Sequence, residues 1–338
     1  TAQCAAPPHQ LDRQRGLAAG RWSCNKDRPW VRHYLSSLSK KPVPMSHVLS
    51  LIANPASHDL SADHVELAQR TAGGAVDWLA KGVACDIALR KEADLEAILS
   101  QVRQALSEAP IDVNIVPMAG RRKKLLLADM DSTLIGQECI DELGAALGIK
   151  DRIAAITERS MPGEMNFEEA LRERVALLRG VSRAQIGQII ADKITLNPGA
   201  RVAVQTMRAN GAYTALVSGG FTLFTTVIAA QLGFHENRAN TLLFHGDSLS
   251  GAVSEPILGR EAKLQALNEL TAAKHINTMD AVCIGDGAND LAMIQAAGMG
   301  IAFRAKPIVA AEASAQINHG DLTGLLYLQG YREAELIA

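Results

Sequence analysis

Aromatic side chains are scarce: Phe, Tyr and Trp together make up 4% of the 338 residues, too few to line a groove with stacking platforms for bases. Charge is nearly balanced, with a net of −2, and the basic residues form no long stripe, so the electrostatic footprint of a nucleic-acid binder is missing too. No apolar run approaches the roughly 20 residues that a membrane-spanning helix needs. Cysteines are few and scattered. Cys4, Cys24, Cys85, Cys139 and Cys283 are odd in number and show no C-x-x-C spacing, which points to free thiols in a reducing, cytoplasmic setting. Cys139 and Cys283 read as small hydrophobic filler. Length and composition agree with a soluble enzyme of more than one domain: 48% hydrophobic content is ample for a core in a chain longer than one typical domain.

The chemistry is concentrated at Leu125-Leu126-Leu127-Ala128-Asp129-Met130-Asp131-Ser132-Thr133. The apolar run reads as a buried parallel strand, and the C-terminal edge of an open α/β sheet is where ligands bind. Residues i and i+2 of a strand share a side, so Asp129 and Asp131 are expected to converge. Two converging carboxylates repel unless a proton or a cation sits between them, an arrangement suited to Mg²⁺-assisted chemistry with one nucleophilic and one acid/base carboxylate. A second apolar run, Tyr213 to Leu216, ends in Val217-Ser218-Gly219-Gly220, with exposed N–H groups suited to phosphate oxygens. A third, Ala281-Val282-Cys283-Ile284, ends in Gly285-Asp286-Gly287-Ala288-Asn289-Asp290, and Lys263 lies between the second and third.

These four ordered segments resemble the haloacid dehalogenase superfamily, whose motifs are D-x-D-x-T, a strand-end Ser/Thr, a Lys and G-D-x-x-x-D. The resemblance covers roughly residues 121 to 330. Within the superfamily the chain is similar to the phosphoserine phosphatase family, on Asp129 to Thr133 followed by Glu138, on Met161-Pro162-Gly163-Glu164-Met165-Asn166-Phe167 followed by Leu171-Arg172-Glu173-Arg174-Val175, on Ser218-Gly219-Gly220, and on Gly285 to Asp290.

The resemblance implies a doubly wound α/β core and hydrolysis of O-phospho-L-serine through an aspartyl-phosphate, as the last step of serine biosynthesis by the phosphorylated route. Asp129 is the implied nucleophile. Asp131, kept protonated by its like-charged neighbourhood, is the implied acid/base. Mg²⁺ is expected on Asp129, the Asp131 backbone carbonyl and Asp286, with Asp290 supporting a bound water or Lys263. Ser218, Gly219, Gly220 and Lys263 form the expected phosphate cradle, with Asn289 beside it. Glu138 would take the substrate ammonium, Arg174 its carboxylate, and Met161 and Phe167 would shield both. Another small-molecule phosphatase or phosphotransferase of the superfamily is the alternative.

The rest of the chain divides around this core. Residues 1–44 hold eight Lys/Arg against Asp12 and Asp27 and no apolar periodicity. They read as an irregular leader, a transit peptide being one alternative, with Met45 the expected true start. Residues 45–118 follow a β-α-β-β-α-β order, with a helix from Ala62 to Ala72 capped by Ser61 and a hairpin turning at Lys81-Gly82. This is the ferredoxin-like pattern and is similar to the ACT domain. A structural or dimerising role is expected of it, with amino-acid sensing as the alternative. The run Arg121-Arg122-Lys123-Lys124 reads as a solvated linker. Residues 119–338 form the core, and Gly136 to Leu196, rich in Leu, Ala, Glu and Arg at helical spacing, is expected to be a helical cap over the strand ends.

Overall fold

The structure, a computed structural model, describes residues 47–160 and 166–338. The leader, Met45 and Met161 therefore lie outside the described residues, as do Cys4 and Cys24. The N-terminal unit comprises β1 (His47–Ala53), α1 (Ala62–Ala72), β2 (Val76–Ala80), β3 (Ala84–Ala88), α2 (Leu95–Ala105) and β4 (Ile111–Pro117). Ser61 caps α1 as expected, accepting the His64 N–H, which satisfies one of the donors a helix start leaves open. The sheet is antiparallel in the order β2-β3-β1-β4, the ferredoxin-like arrangement.

Strand alternation divides that sheet into two faces. Leu49, Leu51, Cys85, Ile87 and Val113 pack with Val65, Ala68 and Val102 of α1 and α2. The opposite face, with Val48, Ile52, Ala84 and Val116, joins the hydrophobic core of the larger unit. The described residues accordingly form one compact body.

The larger unit holds a six-stranded parallel sheet. Its strands are β5 (Leu125–Ala128), β6 (Tyr213–Phe221), β7 (Glu236–Asn240), β10 (Ala281–Gly285), β11 (Met299–Phe303) and β12 (Ala315–Ile317), in the order β12-β11-β10-β5-β6-β7. Helices α7 (Ala200–Ala209), α8 (Thr222–Leu232), α9 (Ala262–Ala273), α10 (Leu291–Ala296), α11 (Pro307–Glu312) and α12 (Gly324–Leu328) alternate with the strands after the first, as a doubly wound sheet requires. The strand that leads into Asp129 is central, with Leu125–Ala128 paired to Tyr213–Leu216 on one side and to Ala281–Ile284 on the other.

Between β5 and α7 the chain leaves the sheet for α3 (Cys139–Ala146), α4 (Lys150–Ser160), α5 (Phe167–Ala176) and α6 (Arg183–Lys193). An antiparallel bridge between Ile135 and Leu196 closes the neck of this excursion, and Asn197 Nδ2 donates to the Thr133 and Ile135 carbonyls. A hairpin of β8 (Leu242–His245) and β9 (Ser248–Val253), absent from the sequence reading, meets the cap through a Ser182–Ser248 bridge and reciprocal backbone bonds between the Gly180–Val181 segment and Leu249.

The basic run at 121–124 is not a solvated linker throughout. Arg121 is buried and paired with Asp86 at 2.6 Å while donating to the Leu328 and Tyr327 carbonyls. Lys123, also buried, donates to the Gly120 and Met279 carbonyls, both at 2.8 Å. Burial pushes its ammonium below the ordinary lysine range. Sequence placed four cations at a junction, and the fold turned two inward because carbonyls and a carboxylate waited there. The junction is sewn further at the sheet edge. The Asn114 side chain bonds the N–H and C=O of Gln316 in β12, and Asp112 accepts the N–H groups of Asn318, His319 and Gly320. The unpaired backbone of an edge strand is thereby covered.

Candidate active site

Strand β5 stops at Ala128, so strand alternation is not what brings Asp129 and Asp131 together. The Asp129 N–H still reaches across to the Ile284 carbonyl at 3.0 Å. The chain then coils on itself: the N–H groups of Thr133, Leu134 and Ile135 all point at the Met130 carbonyl, and Ser132 takes a left-handed φ of 55°. This tight loop aims both carboxylates into the site, correcting the sequence-based reason while keeping its result.

Asp129 is buried. Its Oδ1 accepts the Met130 N–H at 2.7 Å and the Lys263 ammonium at 2.8 Å, leaving Oδ2 with no protein donor among the described residues. Lys263, 3% exposed, is shared with Asp290 Oδ1 at 2.5 Å. Burial alone lowers a lysine, but the two carboxylates hold this ammonium above its ordinary value. Asp290 is fully buried, and its Oδ2 accepts the Gly287 N–H at 3.0 Å. Asp286 accepts from Thr133 Oγ1 at 3.0 Å. Asp129, Asp286 and Asp290 offer oxygens that all lie within 4.8 Å of one another. Burial, then the Asp290 charge, raises Asp129 well above the usual carboxylate range against the pull of Lys263. The same two causes push Asp286 up to about 6. Three hard oxygen donors with crowded negative charge fit a small divalent cation. Asp290 joins this group by position, although its oxygens already serve Lys263 and Gly287.

Asp131 accepts the Cys139 N–H at 2.9 Å on Oδ1 and faces Ser218 Oγ at 3.4 Å through Oδ2. Its carboxyl is raised by burial, while bonds from the Cys139 thiol and N–H, the Lys263 charge and Ser218 all lower it. Burial, and not a like-charged neighbourhood, is therefore what raises it. The Cys139 side chain is buried, as filler is, and its backbone N–H reaches Asp131.

Ser218, Gly219 and Gly220 occupy an interruption in the β6–β7 ladder, which lapses after Val217–Arg238 and resumes at Phe221–Asn240. Bulges of this kind recur beside active sites because they free backbone groups for ligands. A Cβ at Gly220 would stand 2.8 Å from Asp131 Oδ2, so a larger residue there would displace that carboxylate. Asn289 turns its Oδ1 toward Gly287.

The cap residues gather at the same strand ends. Glu138 bonds Ser132 Oγ at 2.7 Å. Although the residue is exposed at the rim, loss of hydration and then the Asp131 charge push its carboxyl up to about 7. Arg174 is half-buried. Its Nε donates to Ala170 in its own helix, and it makes no ion pair among the described residues. Burial lowers it, against the opposing charges of Asp141 and Glu138. The Phe167 ring stands over Gly219 and Gly259.

Comparison with known proteins follows the same geometry. The profile of the haloacid dehalogenase-like hydrolase family matches residues 126–295. The chain is 41% identical over 229 residues to a probable phosphoserine phosphatase of Schizosaccharomyces pombe, covering 67% of this chain and 76% of the relative. Among solved structures, a HAD family hydrolase from Salmonella enterica serovar Typhi superposes with a TM-score of 0.76 at 29% identity, covering 84% of this chain and 98% of that one. A probable phosphoserine phosphatase from Vibrio cholerae gives 0.70 at 27%, covering 86% and 88%. Both superpositions span more of the chain than residues 119–338, so they reach into the N-terminal sheet. Among the described residues no helix is long and apolar enough to cross a membrane.

Proposed function

The chain belongs to the haloacid dehalogenase-like hydrolases, and from that premise we propose that it removes the phosphoryl group of O-phospho-L-serine through a covalent intermediate on Asp129. The observation that carries the reading is the asymmetry of Asp129: Oδ1 is held by Lys263 and the Met130 N–H, and Oδ2 is left to attack. A phosphomonoester dianion repels a carboxylate, so attack requires charge neutralisation on the non-bridging oxygens. The Ser218 hydroxyl, the Gly219 N–H and Lys263 supply part of it. Mg²⁺ on Asp129, Asp286 and the Asp131 carbonyl would supply the rest when bound, by neutralising the phosphoryl oxygens. Asp290 fixes Lys263 from behind.

Asp129 Oδ2 attacks phosphorus, and the phosphorus–oxygen bond to serine breaks. A serine alkoxide is a poor leaving group at neutral pH, so Asp131 gives it a proton as it departs and then takes one from the water that hydrolyses the aspartyl-phosphate. The buried, raised carboxyl of Asp131 suits that exchange. In this reading Glu138 takes the α-ammonium, the two terminal amino groups of Arg174 take the α-carboxylate, and Phe167, over Gly219 and Gly259, excludes water.

The test is phosphate release from O-phospho-L-serine against a panel of other phosphomonoesters, with and without Mg²⁺. Phosphoserine should lead in kcat/KM, and chelation should abolish turnover. Equal rates across the panel would sink the assignment of substrate in favour of a broader phosphatase.

A further inference from the structure

Asn240, the last residue of β7, is 2% exposed and touches none of the groups that perform the chemistry. Its Nδ2 donates to the Gly219 carbonyl at 2.9 Å and to the Leu258 carbonyl at 3.3 Å, while its Oδ1 accepts the Leu258 N–H at 2.7 Å. Both segments belong to the phosphate cradle. Gly219 lies in the β6 interruption, and Leu258 opens the segment Leu258-Gly259-Arg260-Glu261 that leads into α9 and Lys263.

The peptide between Gly219 and Gly220 is held at both ends. Its carbonyl is bonded by Asn240, and its N–H, belonging to Gly220, donates to Ser218 Oγ at 2.9 Å. A diglycine peptide is otherwise free to flip, because neither residue has a Cβ to restrict it. A flip would remove the Gly220 N–H from the Ser218 hydroxyl and spoil the orientation of the donors around the phosphoryl oxygens. On the other side of the same two segments lies Phe167: a Cβ at Gly219 would stand 3.5 Å from its Cζ, and one at Gly259 would stand 3.7 Å from its Cδ1. The cap thus rests on both segments that Asn240 joins.

We propose that Asn240 is a positioning residue for phosphoryl transfer, locking the Gly219–Gly220 peptide and tying the Ser218 half of the phosphate cradle to the Lys263 half. The inference rests on the assignment of Ser218, Gly219 and Lys263 to the phosphoryl group. Preorganised donors lose much of their effect when they must reorganise during reaction, so loosening this peptide weakens phosphate recognition without touching the groups that hold serine.

The experiment uses the full chain with Mg²⁺ and two product inhibitors, inorganic phosphate and L-serine. Asn240→Leu fills the same space without hydrogen bonds. It should raise the inhibition constant for phosphate by on the order of 10-fold or more, as expected for a lost buried hydrogen bond, and lower kcat, while the constant for L-serine stays within about twofold. Asn240→Asp keeps the acceptor for the Leu258 N–H but cannot donate to Gly219, and should show the same split if the leucine variant does not fold. Equal shifts for phosphate and L-serine, or no shift in either, overturn the proposal. Failure of both variants to fold also overturns it, because Asn240 then acts on the fold. If the wild-type chain is active but is not inhibited by phosphate, the cradle assignment itself fails.

Discussion

Asp290, fully buried, holds the Lys263 ammonium at 2.5 Å, and the same ammonium reaches Asp129 at 2.8 Å. One lysine is thus divided between a supporting carboxylate and the proposed nucleophile. Asp290→Ala would leave it to Asp129 alone, where it competes for the attacking group. Breaking a buried pair from one side should cost about 3–5 kcal/mol in urea unfolding, and kcat should fall by on the order of 10². Adding Lys263→Met should restore much of the stability and none of the activity. Recovery of activity in the double variant would show that Lys263 is dispensable.

Asp129→Asn should reduce turnover by about 10⁴ or more while raising thermal stability in the presence of chelator. The fold disfavours the charged form of Asp129, first by burial and then by Asp290, so a neutral amide relieves that penalty. Steady-state kinetics and a thermal melt read the two effects, and retention of more than about a tenth of the activity would refute the nucleophile assignment.

Metal-free stability should fall as pH rises through the window set by Asp286. Its ordinary value of 3.8 is raised to about 6 in the fold, so the native state binds the proton more tightly than the unfolded chain. By linkage, this group's penalty is absent below about pH 4, grows to about pH 6 and is constant above. Urea titrations with chelator should show that loss, and saturating Mg²⁺, which favours the ionised carboxylate, should cancel or reverse it. A stability that instead rises over the same window in chelator contradicts the assignment.

Arg174→Ala should raise KM for phosphoserine by on the order of 10², the loss expected for a charged hydrogen-bonded pair. Hydrolysis of a phosphomonoester lacking a carboxylate should hardly change. Arg174→Lys keeps the charge but not the planar fork and should recover only part of the affinity. Equal losses on both substrates would place Arg174 on the phosphate or on cap folding.

A chain beginning at Arg121 contains every motif residue, yet it should not behave as a free-standing enzyme. Removing the N-terminal sheet strips the partner Asp86 from Arg121 and uncovers the surface that Val48, Ile52 and Val116 pack against. Size-exclusion chromatography and thermal unfolding should show aggregation or a midpoint lowered by more than about 10 °C, since each lost kcal/mol shifts a midpoint by about 2–4 °C in a domain of this size. A monodisperse, fully active fragment would show that the two units are separable.

Local signals read well from sequence. Ser61 ahead of an amphipathic run gave the first helix, Lys81-Gly82 gave the hairpin, and carboxylates at the ends of apolar runs gave the candidate site. The misses share a cause: each depends on what arrives from far along the chain. Arg121 and Lys123 looked solvated because Asp86 and Met279 are distant in sequence. Asp131 looked charge-crowded because burial was invisible, and Asn240 went unremarked because its partners Gly219 and Leu258 lie about 20 residues away on either side. The β8–β9 hairpin was within reach, since Gly246-Asp247 between two apolar runs is a two-residue turn signal.

The central place of β5 carries a consequence for the order in which the chain can fold. Its four residues find hydrogen-bonding partners only at 213–216 and 281–284, whereas the strands of the N-terminal sheet find one another between 47 and 117. Long loops must close before the Asp129 strand gains anything, and that entropic cost makes such pairings late. Pulsed hydrogen exchange should therefore protect β1 and β4 before β5. During synthesis, Asp129 would lack one flanking strand until residues 213–216 have left the ribosome and the other until residues 281–284 have.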